Sequence, residues 1–311
     1  MAVVAPTKVI RRTPTVGGES SRRAKRRGKG PYPLWFYLPA AVIYTALFLV
    51  PTFASLYFSL TRWTLFDVEF TGLENFARFF QEPMLIKGFV NTFIYAVLTS
   101  GAKVVLGLLL AVLLTSRILG RAYLRAVIFF PVLVSTVGVG ITFKVLMDPF
   151  DGIINRGLAV IGIQGPGWLT DPSLALYSVA LVDIWKGVGL ATLIYMAGIV
   201  SIPKEYIEAA RADGANGWRT FWHVTLPLVH PATATVIILS LIGGLRSFDL
   251  IWAMTRGGPG FTSDVIASVI YKQYQAGFYG LSTAGNVVLF LMVTVIIVPL
   301  SLWLNRREVD Q

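Results

Sequence analysis

Four ionisable side chains stand inside long apolar runs: Asp183, Lys186, Arg246 and Asp249. At the centre of a bilayer each would cost about 2.5–3.5 kcal/mol on insertion scales, so such groups face a bundle interior, pair, or line a watery path. There they can hydrogen-bond a polar solute or hold helices together. Asp183 and Lys186 are three residues apart and share one face of a helix, and Arg246, Asp249 and Trp252 follow the same spacing. The ion pairs this predicts are Asp183 with Arg246, or Lys186 with Asp249. Lys103, also in an apolar run, is expected to face protein or water, and Lys144 to reach an interface. No catalytic or metal-binding residue is expected. The chain has no Cys and only two His, His223 and His230, so disulfides, thiolate nucleophiles, iron–sulfur clusters and Cys-based zinc sites are excluded. No Gly-x4-Gly-Lys-Ser/Thr phosphate loop is present, and Gly28-Lys29-Gly30 lacks its spacing.

The elements that hold these groups are apolar blocks. Of 311 residues 55% are hydrophobic and only 14% charged, against about 45–50% and about 25% in a soluble domain. Too few charges remain to cover a soluble enzyme. A membrane-spanning helix needs about 20 mostly apolar residues, and six blocks qualify: 34–60, 89–114, 126–146, 174–200, 232–254 and 281–304. They do not alternate strictly, which points to helices rather than barrel strands. The expected fold is therefore all-α and integral to the membrane, with six transmembrane helices within residues 34–305.

Residues 1–33 differ. They hold nine Lys/Arg and one acidic residue, Glu19, among Pro, Gly and Ser. The expectation is a disordered basic tail that fixes topology and touches anionic lipid, with an uncleaved first span; without aromatic interleaving it does not read as a nucleic-acid arm. Basic residues number seventeen in the tail, 115–125, 201–231 and the C-terminus, against six in the alternate segments. Both termini, 306–311 included, should then be cytoplasmic. In that orientation Lys186 and Arg246 lie roughly 21 Å from the cytoplasmic ends of their runs, and Asn286 about 8 Å in from the opposite side. The three share a depth where spans four, five and six could form a polar cluster.

The longest internal cytoplasmic loop, 201–231, reads as two short helices around a tight break. Pro203 suits a first helical turn, with Glu205 and Glu208 near the positive end of the dipole. Gly214 can adopt a left-handed conformation and stop the first helix. Asn216 is an N-cap for the second, and Pro227 limits it. Ala209, Ala210 and Ala212 give the first helix a small-sided surface that can enter a groove closely.

Glu208-Ala209-Ala210, then Asp213-Gly214-Ala215, then Leu226-Pro227 resemble the EAA loop of ABC importer permeases, in pattern and spacing. Phe248-Asp249-Leu250-Ile251, Met254-Thr255 and Gly257-Gly258-Pro259-Gly260, with Asn91-Thr92, resemble the carbohydrate subfamily. The likeness covers about 35–305 and is to the first of two unlike permeases, as in maltose and glycerol-3-phosphate importers.

The resemblance implies a type I ABC importer permease fold in a bacterial or archaeal cytoplasmic membrane. It also implies partners: a second permease, two ATPase subunits and an extracytoplasmic solute-binding protein. Glu208, Ala209, Ala210, Asp213, Gly214 and Ala215 would couple the chain to an ATPase. ATP and magnesium would reside on that partner, with no cofactor and no hydrolysis on this chain. The implied solute is a sugar or oligosaccharide, whose hydroxyls Asp183, Lys186, Arg246, Asp249 and Asn286 could meet while Trp252 or Tyr195 stacked on a sugar face. Two alternatives stay open: an importer of glycerol-3-phosphate or a related polyol phosphate, and a self-sufficient secondary transporter, which would show inverted repeats.

Overall fold

The computed structural model describes residues 34–64, 66–116 and 118–309. The basic tail expected over 1–33 lies outside the described residues. Two compact units divide the chain after Leu49. In the first, α1 (Leu38–Tyr44) follows a 3-10 turn at Leu34–Tyr37 and leads into a π-turn, Thr45–Leu49. Tyr44 and Phe48 stack there at 5.0 Å.

The second unit opens with α2 (Val50–Ser59) and a hairpin of β1 (Thr61–Trp63) and β2 (Val68–Phe70), antiparallel with Thr61 opposite Phe70. α3 (Glu74–Gln81) follows. Glu74 receives both Arg62 and Arg78, each within 3.0 Å. Desolvation opposes ionisation, but the two guanidinium charges and their hydrogen bonds together prevail and hold this carboxyl below its usual range. Buried Asn75 donates to the carbonyls of Ser59 (2.9 Å) and Thr61 (2.8 Å), stitching α3 to the hairpin.

Then comes α4 (Pro83–Thr115), with proline in its first turn where the missing N–H costs nothing. After α5 (Arg121–Leu133), α6 (Thr136–Leu146) and the short α7 (Ile153–Val160) comes α8 (Ala175–Val200). α4 and α8 make the most extensive helix contact, with α12 (His230–Leu245) against both. Small residues allow it: a methyl on Gly107 would meet the Ala191 Cβ at 2.8 Å, and one on Gly244 the Ala96 Cα at 2.7 Å. In lipid, where no hydrophobic drive brings helices together, such close backbone approach supplies the packing energy. Three buried clusters result. One gathers Tyr95, Val139, Val179, Val182, Ile251 and Met254. Another gathers Phe79, Leu85, Leu245, Val269 and Met292. The third gathers Leu114, Ala191, Tyr195 and Val236.

Four helices among the described residues are long and apolar enough to cross a membrane: Trp35–Ser59, Pro83–Thr115, Ala175–Val200 and Tyr279–Arg306. Two bent pairs raise the number to six if each is one span. The block expected as one span at 126–146 is broken: α5 and α6 meet at 102°. Pro131 lacks the N–H that would continue α5, and Val134 and Ser135 are extended (ψ 142° and 131°). The block expected at 232–254 is also discontinuous. α12 stops at Leu245, Arg246 caps it, and a separate α13 (Asp249–Met254) begins after Phe248.

The segment 255–280, between the fifth and sixth expected spans, contains α14 (Ile266–Gln275), whose Ile266, Ser268, Val269 and Ile270 are buried. α15 (Tyr279–Val309) closes the chain and retains Pro299 within it, as membrane helices tolerate.

Candidate functional site

The loop after α8 folds largely as its residues dictate. Pro203 is the residue before the helix rather than its first turn: α9 is Lys204–Ala212. Gly214 takes φ +81° and terminates it. The Asn216 side chain accepts from the Arg219 N–H at 2.9 Å and caps α10 (Gly217–Thr220). The second helix ends at Leu228, one residue past Pro227 and close to the expected limit. A π-turn, Phe221–Thr225, passes into α11 (Leu226–Leu228), where Pro227 sits in a first turn and needs no donor. The break comes at Val229, with a 66° bend before α12.

Glu208, Ala209, Asp213 and Gly214 are exposed, and Ala210 and Ala215 half-buried. Among the described residues α9 makes its main element contacts with α10 and the π-turn, and Ala209 and Ala212 on its small-sided surface are exposed. Beneath it lies a cavity of about 440 Å³, bounded by Val112, Ser116, Ile199, Ile207, Arg211 and Phe221 among others. His223 meets the Arg219 carbonyl through Nδ1 at 3.0 Å, while the buried Nδ1 of His230 has no partner among the described residues. Asn216→Ala should cost the loop about 1 kcal/mol. It should read out as faster amide exchange at Arg219 with the spans unaffected; unchanged exchange would mean that the cap does not hold the turn.

The charges within the spans pair differently from the spacing's suggestion. Asp183 bonds neither Arg246 nor any other guanidinium: its Oδ2 lies 2.7 Å from Lys103 Nζ. Lys103, on α4, is 7% exposed. It does face protein, as expected, but it carries the one ion pair within the spans among the described residues. Gly187, one turn beyond Asp183 on α8, makes room: a methyl there would come 2.6 Å from Lys103 Cε. The polar cluster expected of spans four, five and six does not form. Arg246, Asp249 and Asn286 are exposed. The side chains of these three and of Lys186 make no hydrogen bond or ion pair among the described residues. The break after Leu245 is the physical reason, because Arg246 ends one helix and Asp249 begins another. Trp252 lies parallel to Phe248 (5.7 Å) and edge-on to Tyr271 (4.8 Å). Tyr195 is fully buried in the third cluster and cannot stack on a solute.

Beside the pair, α4, α8 and α12 line a half-open pocket of about 190 Å³, bounded by Lys103, Gly187, Leu190, Ile194, Leu239 and Ser240 among others. Sequence reasoning missed Lys103 and Ser240 here. An ionisable residue in an apolar run was a visible signal, but its partner eighty positions away was not.

A third polar arrangement locks the turn between α13 and α14. Asp264 is fully buried, and its carboxylate accepts from Ser268 Oγ (2.7 Å) and Lys272 Nζ (2.6 Å). Lys272 also lies 4.9 Å over the Phe261 ring. Asn91 donates to the carbonyls of Thr262 (2.9 Å) and Asp264 (2.8 Å), and Thr92 Oγ1 accepts from the Ile266 N–H (2.9 Å). The Asn91-Thr92 pair and the Gly-rich turn, separate in sequence, are one structure.

The family model for the inner membrane component of binding-protein-dependent transport systems matches residues 103–307. A probable ABC transporter permease protein of Sinorhizobium fredii is 33% identical over 291 residues, 91% of this chain and 93% of its own. The trehalose/maltose transport system permease protein of Thermococcus litoralis is 31% identical over 258 residues, 82% and 88% of the two chains. A solved bacterial ABC transporter involved in the import of the acidic polysaccharide alginate superposes with a TM-score of 0.78 at 25% identity, over 88% of this chain and 95% of that one.

Proposed function

Since this chain belongs to the family of inner membrane components of binding-protein-dependent transport systems, we propose that it forms half of the translocation path of an ATP-driven sugar or oligosaccharide importer. It is a multi-pass ABC permease subunit of the cytoplasmic membrane with the type I importer fold, and ATP hydrolysis belongs to a separate chain. Our reading gives it six spans, counting each bent pair as one, with both termini cytoplasmic. Its partners are a second permease, two ATPase subunits and a solute-binding protein.

One observation carries this reading. α8 joins a membrane cavity with a built charged pair to an exposed helix–turn–helix. From Asp183 to Val200 is seventeen residues, roughly 26 Å of helix, most of a hydrocarbon core of about 30 Å. The cavity, at about 190 Å³, is smaller than the roughly 300–1,000 Å³ of a complete ligand site, which suits a path shared with a second permease. Glu208, Ala209, Ala210, Asp213, Gly214 and Ala215 form the part that seats on an ATPase. The alanines permit close approach, Gly214 provides the turn, and the carboxylates give hydrogen-bond acceptors. Closure of the ATPases would move this loop and, through α8 and α12, the cavity walls, alternating its access. The polyol-phosphate alternative is not favoured: three relatives are named for trehalose/maltose, multiple sugars and starch degradation products and one for osmoprotective compounds.

The test is reconstitution with the neighbouring permease, ATPase and binding protein in liposomes. ATP hydrolysis is followed against di- and trisaccharides and glycerol-3-phosphate. One saccharide should stimulate it, and Glu208→Ala should reduce the stimulation about tenfold or more, within the range of coupling energies, without loss of assembly. Uptake by this chain alone, without an ATPase, would overturn the reading.

A further inference from the structure

The 190 Å³ cavity among α4, α8 and α12 has one ionisable group in its lining, Lys103. Its side chain is 9% exposed, and its ammonium is held 2.7 Å from Asp183, which is not part of the lining. The ammonium has three N–H bonds. Asp183 takes one, and the others have no partner among the described residues. Ser240 offers a hydroxyl from α12, and Leu190, Ile194 and Leu239 supply apolar wall. The pocket therefore presents strong donors on a cation whose charge Asp183, outside the lining, neutralises.

From this balance we infer that the Lys103–Asp183 pair is a charge filter, selecting uncharged polyhydroxylated solutes and excluding anionic ones. The inference rests on the sugar-import reading and narrows its substrate class. A sugar hydroxyl accepts from the ammonium while the C–H face of the ring lies on the leucines and isoleucine. A carboxylate or phosphate meets a cation already neutralised, so its own charge would stay uncompensated at membrane depth, where it is expensive. Asp183 is the specificity determinant, acting through Lys103: without its carboxylate the ammonium becomes a free cation and the preference should turn toward acids.

Matched probes isolate that term. Galactose and galacturonate differ only at C6, as do glucose and glucuronate. Binding of each is measured by saturation-transfer NMR on the assembled permease–ATPase complex in nanodiscs, without binding protein, so that the reading is of the permease alone. The wild type should favour the neutral member of each pair about tenfold or more. Asp183→Asn should shift the ratio about tenfold or more toward the uronate. The double change Lys103→Gln/Asp183→Asn removes both charges and should keep the neutral preference, and it carries the test if the single variant fails to assemble. A wild type that binds uronates as well as neutral sugars overturns the charge filter while leaving the importer reading intact. So does an unchanged ratio in Asp183→Asn, or a double variant that prefers uronates. Absence of binding by any sugar to any variant overturns the sugar reading itself.

Discussion

Lys103→Met should destabilise the protein by about 3 kcal/mol, near the lower end of the roughly 3–5 kcal/mol lost when one partner of a buried pair is removed. Asp183 sets that lower end. Its side chain is 20% exposed against 9% for Lys103, so part of the stranded carboxylate's charge can be solvated. What remains faces the buried Tyr95 hydroxyl, which lies beside both Asp183 and Ser247, and apolar neighbours in the first cluster. The double change Lys103→Met/Asp183→Leu should recover to within about 1–2 kcal/mol of the wild type, because replacing both members with apolar groups removes the desolvation cost together with the attraction. Thermal unfolding of the purified complex in detergent separates these outcomes. A single variant as stable as the wild type would show that the two groups do not depend on each other.

Gly257→Ala should be at least as damaging, through a different cause. Gly257 has φ +85°, and a methyl there would fall within the Asp264 carboxylate. The left-handed backbone alone costs about 1–2 kcal/mol for a residue with a Cβ. Displacing Asp264 from Lys272 and Ser268 adds the loss of a buried, hydrogen-bonded ion pair, about 3–5 kcal/mol. Gly260→Ala is the control: φ is +52° there too, but the space around it is open, so only the backbone cost of about 1–2 kcal/mol applies. Limited proteolysis of membranes, with unfolding of whatever protein accumulates, ranks the two. Equal loss in both variants would mean that the Asp264 lock contributes nothing beyond backbone geometry.

Local chemistry made the loop 201–231 readable from sequence. Gly214 stops a helix and Asn216 starts one by bonds within three or four residues, and both do so in the fold. The apolar blocks were readable for the same reason, as properties of continuous stretches. What sequence could not give was distance-dependent. Lys103 and Asp183 are eighty positions apart, and nothing local says that Gly187 leaves room for the lysine stem. Asn91 reaches carbonyls more than 170 positions away. The breaks at 134–135 and 246–248 interrupt apolar runs whose composition hardly changes. Pro131 was a visible hint for the first, but proline also sits inside α15 without breaking it. α14 escaped notice because its ten residues bury one face against α4 and α15 rather than spanning anything.

The 102° turn between α5 and α6 gains meaning from what α6 touches. Gly140 on α6 sits so close to α13 that a methyl would come 2.6 Å from the Ala253 Cβ, and the two short helices pack along each other. Each lies just beyond an interruption in its own run. The two joints are therefore coupled in parallel rather than free in series. While that contact is kept, a swing of α6 about residues 134–135 carries α13 about 246–248. Force applied to either joint is then felt at both, and a staple across one would restrain the pair.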